Sequence, residues 1–198
     1  VENSDIYGDL TAFDPSLQEP PVDTNYLSFF PSAGLTYQIT PMKQLSLNYG
    51  RRINRPDYQV LNPFREQLSE LGFSKGNEKL KPEIVNNLEL AYSLNYMYRF
   101  SLGYSKTTDQ ITRLIGPDDV NPKAGFITWE NLATQKLYNF SISAPFDIKK
   151  WWNLYVNFGA NYTDNRADYG ENGVVDVQAY NYSIYQQQTF SLKNGLKL

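Results

Sequence analysis

The stretch LYNFSISAPFDIKKWWNLYVNFGANYT, residues 137–163, decides the fold class because apolar and polar residues alternate along nearly all of it. Aromatic and aliphatic residues hold the even positions from Tyr138 to Ile148, and small polar residues hold most of the odd ones. After two lysines the alternation resumes and runs from Trp152 to Tyr162. A period of two residues is typical of a β-strand with two different faces. The stretch therefore predicts two strands joined by a tight turn, each with an apolar face that something must cover.

The composition argues against most enzymatic functions. The 198 residues contain no Cys and no His, so the chain lacks a thiolate nucleophile, the usual general base and the commonest metal ligand. A net charge of -3 gives no reason to expect nucleic acid as a partner. No apolar run approaches the ~20 residues that a membrane-spanning helix needs. We therefore predict a non-enzymatic chain with no catalytic residues, no cofactor and no metal site.

The rest of the chain repeats the alternating pattern without helical periodicity. About seven full strands follow one another, with partial strands at both ends. The connections between them alternate in length. Long ones fall at about residues 8–26, 54–83, 116–125 and 166–175, and short ones at 40–43, 96–99, 148–150 and 193–195. Since alternate connections of an antiparallel meander lie at the same end of the sheet, all tight turns share one end and all long loops the other.

This segregation of turn length is typical of outer-membrane barrels, which have short periplasmic turns and longer extracellular loops. The polar strand positions are mostly Asn, Ser and Gly, which suit a crowded or water-filled interior better than a soluble surface. Aromatic residues collect near the predicted strand ends, as at Trp151 and Trp152 beside a short turn and Trp129 toward a long loop. The sequence therefore predicts an all-β chain over residues 1–198: an antiparallel up-and-down meander of about 7–8 strands of a transmembrane β-barrel, with lipid on its apolar face.

Four segments also carry a family resemblance. They are FFPSAGLTYQIT (29–40), LSLNYGRRINRPDYQVLNPF (45–64), GNEKLKPEIVNNLELAYS (76–93) and SLGYSKTTDQIT (101–112). They resemble successive barrel strands of a TonB-dependent outer-membrane receptor, and most closely the outer-membrane β-barrel protein family. The run from Gly76 to Glu83 is the most specific, since it is similar to the phrase that opens a barrel strand in many such receptors. Glu78 stands where Pro is common, which is a mild departure.

The resemblance implies a bacterial outer-membrane location and a larger whole. Such receptors have a 22-stranded barrel, an N-terminal plug and a segment that contacts TonB. We therefore expect the chain to be a portion of the barrel, without the plug and the remaining strands. The partners implied are outer-membrane lipid, the TonB system acting through a plug domain, and an unidentified nutrient ligand. Bare strand edges and an uncovered apolar face also predict that the isolated portion self-associates.

A basic and aromatic set in and beside the longest loop is the candidate ligand site. Its members are Arg52, Arg55, Tyr58, Phe64 and Arg65, side chains suited to an anionic or sugar ligand. The structural alternative is that the arginines tie strand ends to carboxylates inside the barrel rim, while the prolines of the loop make it rigid.

Two further charged groups have structural explanations. Asp164, Asp168, Glu171 and Asp176 surround the last long loop, but their spacing matches no calcium loop and predicts a solvated acidic loop instead. Glu89 points to the polar face and is placed to pair with Arg99 or Lys106.

Two functions remain open. The first is a receptor barrel that imports a bulky nutrient such as a chelate, a peptide or a glycan. The alternative is a soluble or surface-exposed β-rich module that binds carbohydrate through its aromatic loops.

Overall fold

The computed structural model describes residues 2–8, 22–117, 123–170 and 173–192. Almost all of them lie in β-strands. In chain order the elements are β1 (Glu2–Gly8), β2 (Val22–Ser28), β3 (Ser32–Thr40), β4 (Lys43–Asn54), α1 (Tyr58–Leu61), β5 (Arg65–Ser69), β6 (Gly72–Lys75), β7 (Glu83–Leu94), β8 (Tyr98–Pro117), β9 (Gly125–Lys149), β10 (Trp152–Asp168) and β11 (Val174–Phe190). Within the described ranges, no helix is long and apolar enough to cross a membrane.

The principal sheet has nine strands, and seven of them form an antiparallel path in the order β11-β10-β9-β8-β7-β4-β3. The hairpin β5–β6 is inserted between β4 and β7, and β6 pairs in parallel with β9 from Gly72 to Ser74. The strands β1 and β2 form a separate antiparallel pair. Among the described strands, β3 and β11 end the path and do not pair with each other, so this sheet is not closed. The predicted antiparallel up-and-down meander is confirmed, as is its character of a partial barrel.

The short connections have the tight geometry that the sequence predicts. Asn95 and Tyr96, between β7 and β8, have φ of 52° and 57°, the left-handed values of a type I′ turn. The backbone N–H of Asn95 donates to the carbonyl of Met42 at 2.7 Å, and the Tyr96 hydroxyl donates to the carbonyl of Pro41 at 2.6 Å. The turns of two hairpins are therefore joined at this end of the sheet. The predicted short turn at 193–195 lies outside the described residues.

The long connections contain more structure than expected. The segment 54–83 carries α1 and the hairpin β5–β6, although the sequence predicts only a loop there. The connection between β8 and β9 falls close to the predicted 116–125, since β8 ends at Pro117 and β9 begins at Gly125. A strand was also missed at β2, which occupies part of the predicted connection 8–26. The hairpin β5–β6 extends the principal sheet at the end where the long loops lie, because β6 pairs with β9.

The sheet lacks an ordinary hydrophobic core. The buried apolar side chains of the described residues are few and mostly small: Phe73, Leu80, Val85, Ala91, Ala133, Ala144 and Ala167. Large apolar side chains on the strands are instead exposed, with Leu35 at 67% and Leu102 at 55%. Exposing this much apolar surface to water is unfavourable, so something other than the described residues must cover the sheet.

Candidate functional site

The strand register aligns apolar residues into continuous rows on one face of the sheet. One row consists of Ile184, Phe158, Ile142, Phe100, Tyr92, Leu45 and Tyr37. The next row consists of Tyr182, Ala160, Phe140, Leu102, Leu90, Leu47 and Leu35. Since residues two apart on a strand share a face, both rows belong to one surface, called here the apolar face.

A row of tyrosines bounds the apolar face toward the long loops. It consists of Tyr180, Tyr162, Tyr138, Tyr104, Leu88 and Tyr49. The ring centroids of Tyr104 and Tyr138 are 5.0 Å apart, and those of Tyr162 and Tyr180 are 4.7 Å apart. The Tyr49 hydroxyl donates to Oδ1 of Asn86 at 2.9 Å, away from the apolar rows. Rings with an apolar body and a polar tip suit a boundary between hydrocarbon and water.

A second aromatic group bounds the same face near the short turns. Trp151, Trp152 and Phe190 pack together with ring centroids 5.8–6.2 Å apart. From Trp152 to Tyr162 strand β10 rises about 34 Å at about 3.4 Å per residue, and a tilt of about 45° reduces this to a height of about 24 Å. Transmembrane barrels have an outward apolar band ~25 Å tall between two aromatic girdles. On β10 the apolar face has this height.

The side chains of the opposite face are polar and mostly small, and several of them pair with one another. The hydroxyls of Ser101 and Ser141 lie 2.7 Å apart across β8 and β9. The Asn157 amide donates to the Ser143 hydroxyl at 2.7 Å. Glu89 forms an ion pair with Arg99 at 3.0 Å, which confirms one of its two predicted partners. The other, Lys106, lies on the apolar-face side of β8, opposite in parity to Gly103, the register partner of Glu89.

A groove lies on the apolar face directly below the tyrosine row. Its volume is about 790 Å³, and its lining combines the tyrosine row with the adjacent row of leucines. Ala160 is the one small residue in that adjacent row, between Phe140 and Tyr182 in the register. Because Ala160 has only a methyl group where its neighbours carry large side chains, it leaves the depression open.

A charged row follows the tyrosine row on the same face. Its members are Gln178, Asp164, Lys136, Lys106, Asn86 and Arg51. Lys136 pairs with Asp164 at 3.5 Å, and the two carry side chains 44% and 22% exposed. The apolar face therefore ends abruptly. Two residues beyond the tyrosine row along each strand, the next row is polar or charged and includes three cations.

The run from Gly76 to Glu83 anchors the long insertion on the sheet. The backbone N–H of Gly76 donates to the carbonyl of Asn62 at 2.8 Å, and that of Asn77 to the carbonyl of Val60 at 2.7 Å. A Cβ at position 76 would lie 2.7 Å from the Val60 carbonyl oxygen, closer than real Cβ atoms come, so only Gly fits there. The Asn77 side chain also donates to the carbonyl of Trp129 on β9 at 2.9 Å. The anchor thus fixes α1 and the insertion against β9.

Glu83, the last residue of the run from Gly76 to Glu83, hydrogen-bonds to an irregular part of β8. The register between β8 and β9 shifts around Gln110, and Asp109 has φ of 55°. Such a bulge leaves backbone groups without ladder partners. Glu83 accepts from the N–H of Ile111 at 2.8 Å, and Asn131 donates to the carbonyl of Asp109 at 2.7 Å. These two side chains therefore satisfy the polar groups that the bulge frees.

The five candidate ligand residues are spread over the insertion and the end of β4. Arg52 is exposed on β4, Arg55 is exposed just after it, and Tyr58 begins α1 with 89% of its surface exposed. Phe64 is 65% exposed and precedes β5, where Arg65 begins. None of the five lines the groove on the apolar face.

Arg65 is the candidate whose surroundings are best defined. Its guanidinium lies 3.7 Å from the centroid of the Phe73 ring, which stacks on Phe126 of β9 at 5.9 Å. A cation over an aromatic face is attracted by the ring quadrupole. Arg65 therefore helps hold the hairpin β5–β6 against β9.

The acidic residues at the last long loop do not gather around one point. Asp164 pairs with Lys136, Asp168 accepts from the N–H of Gly170 at 2.9 Å, and Asp176 lies opposite Arg166 in the register. Glu171 lies outside the described residues. Among the residues that the structure describes, no group of three or more acidic side chains is placed to hold a metal ion.

Comparison with protein families identifies the family of this chain. The profile of the outer membrane protein beta-barrel family matches residues 1–198. The chain belongs to this family. It is therefore a protein of the bacterial outer membrane, and lipid is what covers its apolar face. The predicted family and location are confirmed.

Solved structures share the fold of this outer-membrane barrel. A ferric enterobactin receptor of Pseudomonas aeruginosa (PfeA, R480A mutant, in complex with enterobactin) matches with a TM-score of 0.52 and 13% identity over 88% of this chain. The siderophore receptor PirA of the same organism matches with a TM-score of 0.54 and 13% identity over 89% of this chain. The chain spans 34% of the length of the first and 39% of the second. The search of curated proteins found no match.

Sequence reasoning did not find the tyrosine row or the charged row of this outer-membrane barrel. Each tyrosine is visible as an apolar-parity position, but only the pairing register shows that they lie side by side. The predicted girdle residue Trp129 pairs with Arg113 on β8, well beyond Tyr138 toward the loops, so the girdle lies lower on the strand than expected.

Proposed function

We propose that this chain is barrel wall in a TonB-dependent receptor that imports a bulky nutrient, such as a chelate, a peptide or a glycan, across the outer membrane. The observation that supports it best is the apolar face, which is bounded by two aromatic groups and has the insertion between β4 and β7 beyond one of them. This arrangement gives the barrel a fixed orientation, with tight turns toward the periplasm and large loops toward the outside.

Ligand binding would take place on the elaborated loop side. The insertion between β4 and β7 presents Tyr58 and Phe64 as exposed aromatic rings and Arg52 and Arg55 as exposed cations. Aromatic faces and guanidinium groups recognise sugars, aromatic chelators and anionic groups. The anchor at Gly76 and Asn77 holds the insertion in place, so these side chains are presented from a supported loop. Ligand release inward would follow when TonB acts on a plug domain.

The polar face fits contact with such a plug. Some of its small Ser and Asn side chains pair with one another, as at Ser101 and Ser141. A wall of this kind presents hydrogen-bonding groups without large side chains, so another domain can pack against it and still slide or rearrange. The plug and the remaining barrel strands belong, on this proposal, to the parts of a longer protein that are not within residues 1–198.

Uptake by the complete receptor tests the proposal. A strain lacking the gene is supplied with a ferric siderophore as sole iron source, an oligopeptide mixture as sole nitrogen source, or an oligosaccharide as sole carbon source. We expect one of the three to support growth only when the wild-type gene and an active TonB are present. Growth on all three without the gene, or growth rescued without TonB, would contradict the proposed function.

The loop residues have their own test within that assay. Replacing Tyr58 and Phe64 by Ala should reduce uptake of the growth-supporting nutrient about 10-fold or more, since each exposed ring removed costs about 1–2 kcal/mol of binding. The matched control is the same replacement by Ala at Leu71, an exposed residue at the turn of the hairpin β5–β6. It should leave uptake unchanged.

The alternative of a soluble carbohydrate-binding module makes the opposite prediction about extraction. Family membership favours the barrel. A module would leave the membrane fraction on washing with alkaline carbonate, whereas the barrel stays with the membrane. The absence of enzymatic activity remains a prediction.

A further inference from the structure

Two lysines of the charged row face each other across neighbouring strands. Lys106 on β8 and Lys136 on β9 are direct register partners on the apolar-face side. Like charges directly opposite each other destabilise a sheet unless something neutralises them. Asp164 pairs with Lys136 at 3.5 Å, but Lys106 makes no ion pair or hydrogen bond with another described residue through its side chain. Among the described residues, nothing neutralises the charge of Lys106.

The position of this pair on its two strands suits contact with lipid headgroups. Lys106 and Lys136 lie two residues beyond Tyr104 and Tyr138, members of the tyrosine row. Two residues rise about 7 Å along a strand, or about 5 Å in height at a tilt near 45°. Tyr is a residue type that suits the edge of the hydrocarbon, and the next residues of the same face on these two strands are lysines, whose charge suits the headgroup layer.

The groove lies directly beneath the lysine pair. Tyr104 and Tyr138 line it, and they are on the same strands and the same face as Lys106 and Lys136. Most of the remaining lining is Leu, Phe and Tyr, and the depression runs to the small side chain of Ala160. A cationic pair and an apolar groove are thus stacked along the direction in which a lipid molecule lies in a membrane.

A third cation belongs to the same row. Arg51 on β4 follows Asn86 in the register, and its Nε is buried without a hydrogen-bond partner among the described residues. An anion bound beside Lys106 would add negative charge to a row that holds three cations and the single carboxylate of Asp164. Charge complementarity therefore favours an anionic occupant over a zwitterionic one.

We propose that this surface binds one phosphorylated membrane lipid, with the headgroup phosphate between Lys106 and Lys136 and an acyl chain in the groove beside Ala160. The site lies on the outside of the barrel and is separate from the loops proposed to bind nutrient. It would hold the barrel at a defined height in the outer leaflet and relieve the repulsion between the two lysines.

Charge variants of the complete receptor give the first test. The receptor is purified in a neutral detergent and titrated with dimyristoylphosphatidic acid, and lipid-bound and lipid-free protein are counted by native mass spectrometry. We expect Lys106→Gln to weaken binding about fivefold and Lys106→Glu about 25-fold, taking about 1 kcal/mol for each unit of surface charge. The control Lys79→Gln, at an exposed lysine of the insertion, should bind as wild type.

The Lys106→Glu variant also separates lipid binding from folding. A glutamate opposite Lys136 makes a favourable cross-strand ion pair, so the thermal stability of the detergent-solubilised receptor should be equal to wild type or higher. Weaker lipid binding together with unchanged or raised stability supports the proposal. Binding of Lys106→Glu as tight as wild type would overturn it.

Filling the groove gives the second test. Ala160→Phe places a ring where the acyl chain would lie and should weaken binding of dimyristoylphosphatidic acid about 10-fold, because the chain is then left in detergent. Val156→Phe, on the same face of β10 but outside the groove, is the control and should have no effect. Equal binding by Ala160→Phe and wild type would overturn the assignment of the groove.

The source of the phosphate is tested with two further probes. Dimyristoylglycerol, which has the acyl chains without phosphate, should bind at least 10-fold more weakly than the phosphatidic acid. Inorganic phosphate at millimolar concentration should not displace the lipid. Complete displacement by inorganic phosphate would show a free anion site and overturn the lipid proposal.

Discussion

The apolar face and the insertion between β4 and β7 are stabilised in opposite ways. On the apolar face large side chains such as Leu102 are exposed, and the strands are held by backbone pairing with lipid as the apolar partner. In the insertion Phe73 and Leu80 are buried, and side chains such as Asn77 hydrogen-bond to the backbone of other elements. The membrane part therefore depends on its solvent, whereas the loop part carries a small core of its own.

Removing the lipid should have the largest effect, because only the apolar face depends on it. In detergent-free buffer we expect the 198-residue chain to self-associate, because β3 and β11 present unpaired edges and the apolar face has no covering. Light scattering measures the particle mass, and the most economical product is a two-fold dimer joined by edges or by apolar faces. A monodisperse monomer would show that the apolar face tolerates water. The apolar face would then not differ from the insertion in its need for lipid.

Charge on the apolar face should have the next largest effect. In the complete receptor, Leu90→Arg or Leu102→Arg should cost about 2–4 kcal/mol of folding free energy near the middle of the membrane, since the guanidinium is placed in hydrocarbon. Heat-modifiable migration on gels and urea unfolding in lipid vesicles measure it.

The matched variant is Ser93→Arg on the polar face. There the side chain enters a hydrated or protein-lined interior, and the loss should be far smaller. Equal damage at Ser93 and Leu90 would mean that both faces are buried alike, contrary to a barrel wall.

A smaller and local effect is expected in the insertion. Gly76→Ala forces the Asn62 and Val60 backbone away and should destabilise the insertion by about 1–3 kcal/mol while leaving the barrel folded. Limited proteolysis should then cut between β4 and β7 faster. Gly50→Ala on β4 is the control, because a Cβ there meets nothing within 4 Å. Global unfolding of Gly76→Ala would show that the insertion and the sheet form one cooperative unit.

The two ends of the sheet can be told apart without changing stability at all. The chain has no Cys, so a single Cys introduced at Glu70 or at Lys150 is the only thiol it contributes. On whole cells an impermeant maleimide should label Cys at position 70, in the insertion, and not Cys at position 150, in a tight turn. Labelling at position 150 would reverse the orientation on which the proposed ligand loops depend.

Much of the sheet was predictable because its signal is local. Alternation with a period of two residues identifies a strand and separates its two faces without any knowledge of its partners. The spans around Tyr138 and Phe158 were found in this way, and so was the segregation of short and long connections. The family resemblance rested on the run from Gly76 to Glu83, which the structure shows to be an anchor.

The remaining features of the sheet depend on which strands pair with each other, and the sequence does not show that pairing. The register between β8 and β9 shifts around Gln110, and beyond Thr107 alternation no longer shows which residues lie opposite each other. The short strand β6 has only four residues and pairs with β9, which is distant in sequence. The tyrosine row exists only once the register is known. For the five candidate ligand residues, the structure gives positions but no ligand, so their role stays a prediction.

The pairing of β4 with β7 has a consequence for how such a protein diversifies. The two strands are in register from Lys43 opposite Leu94 to Asn54 opposite Glu83, so the ends of the insertion are brought together by the sheet itself. The entropic cost of closing a loop grows only with the logarithm of its length, by about 0.6 kcal/mol for each doubling. Residues 55–82 can therefore be lengthened, shortened or exchanged during evolution at small thermodynamic expense, while the wall beneath them keeps its shape.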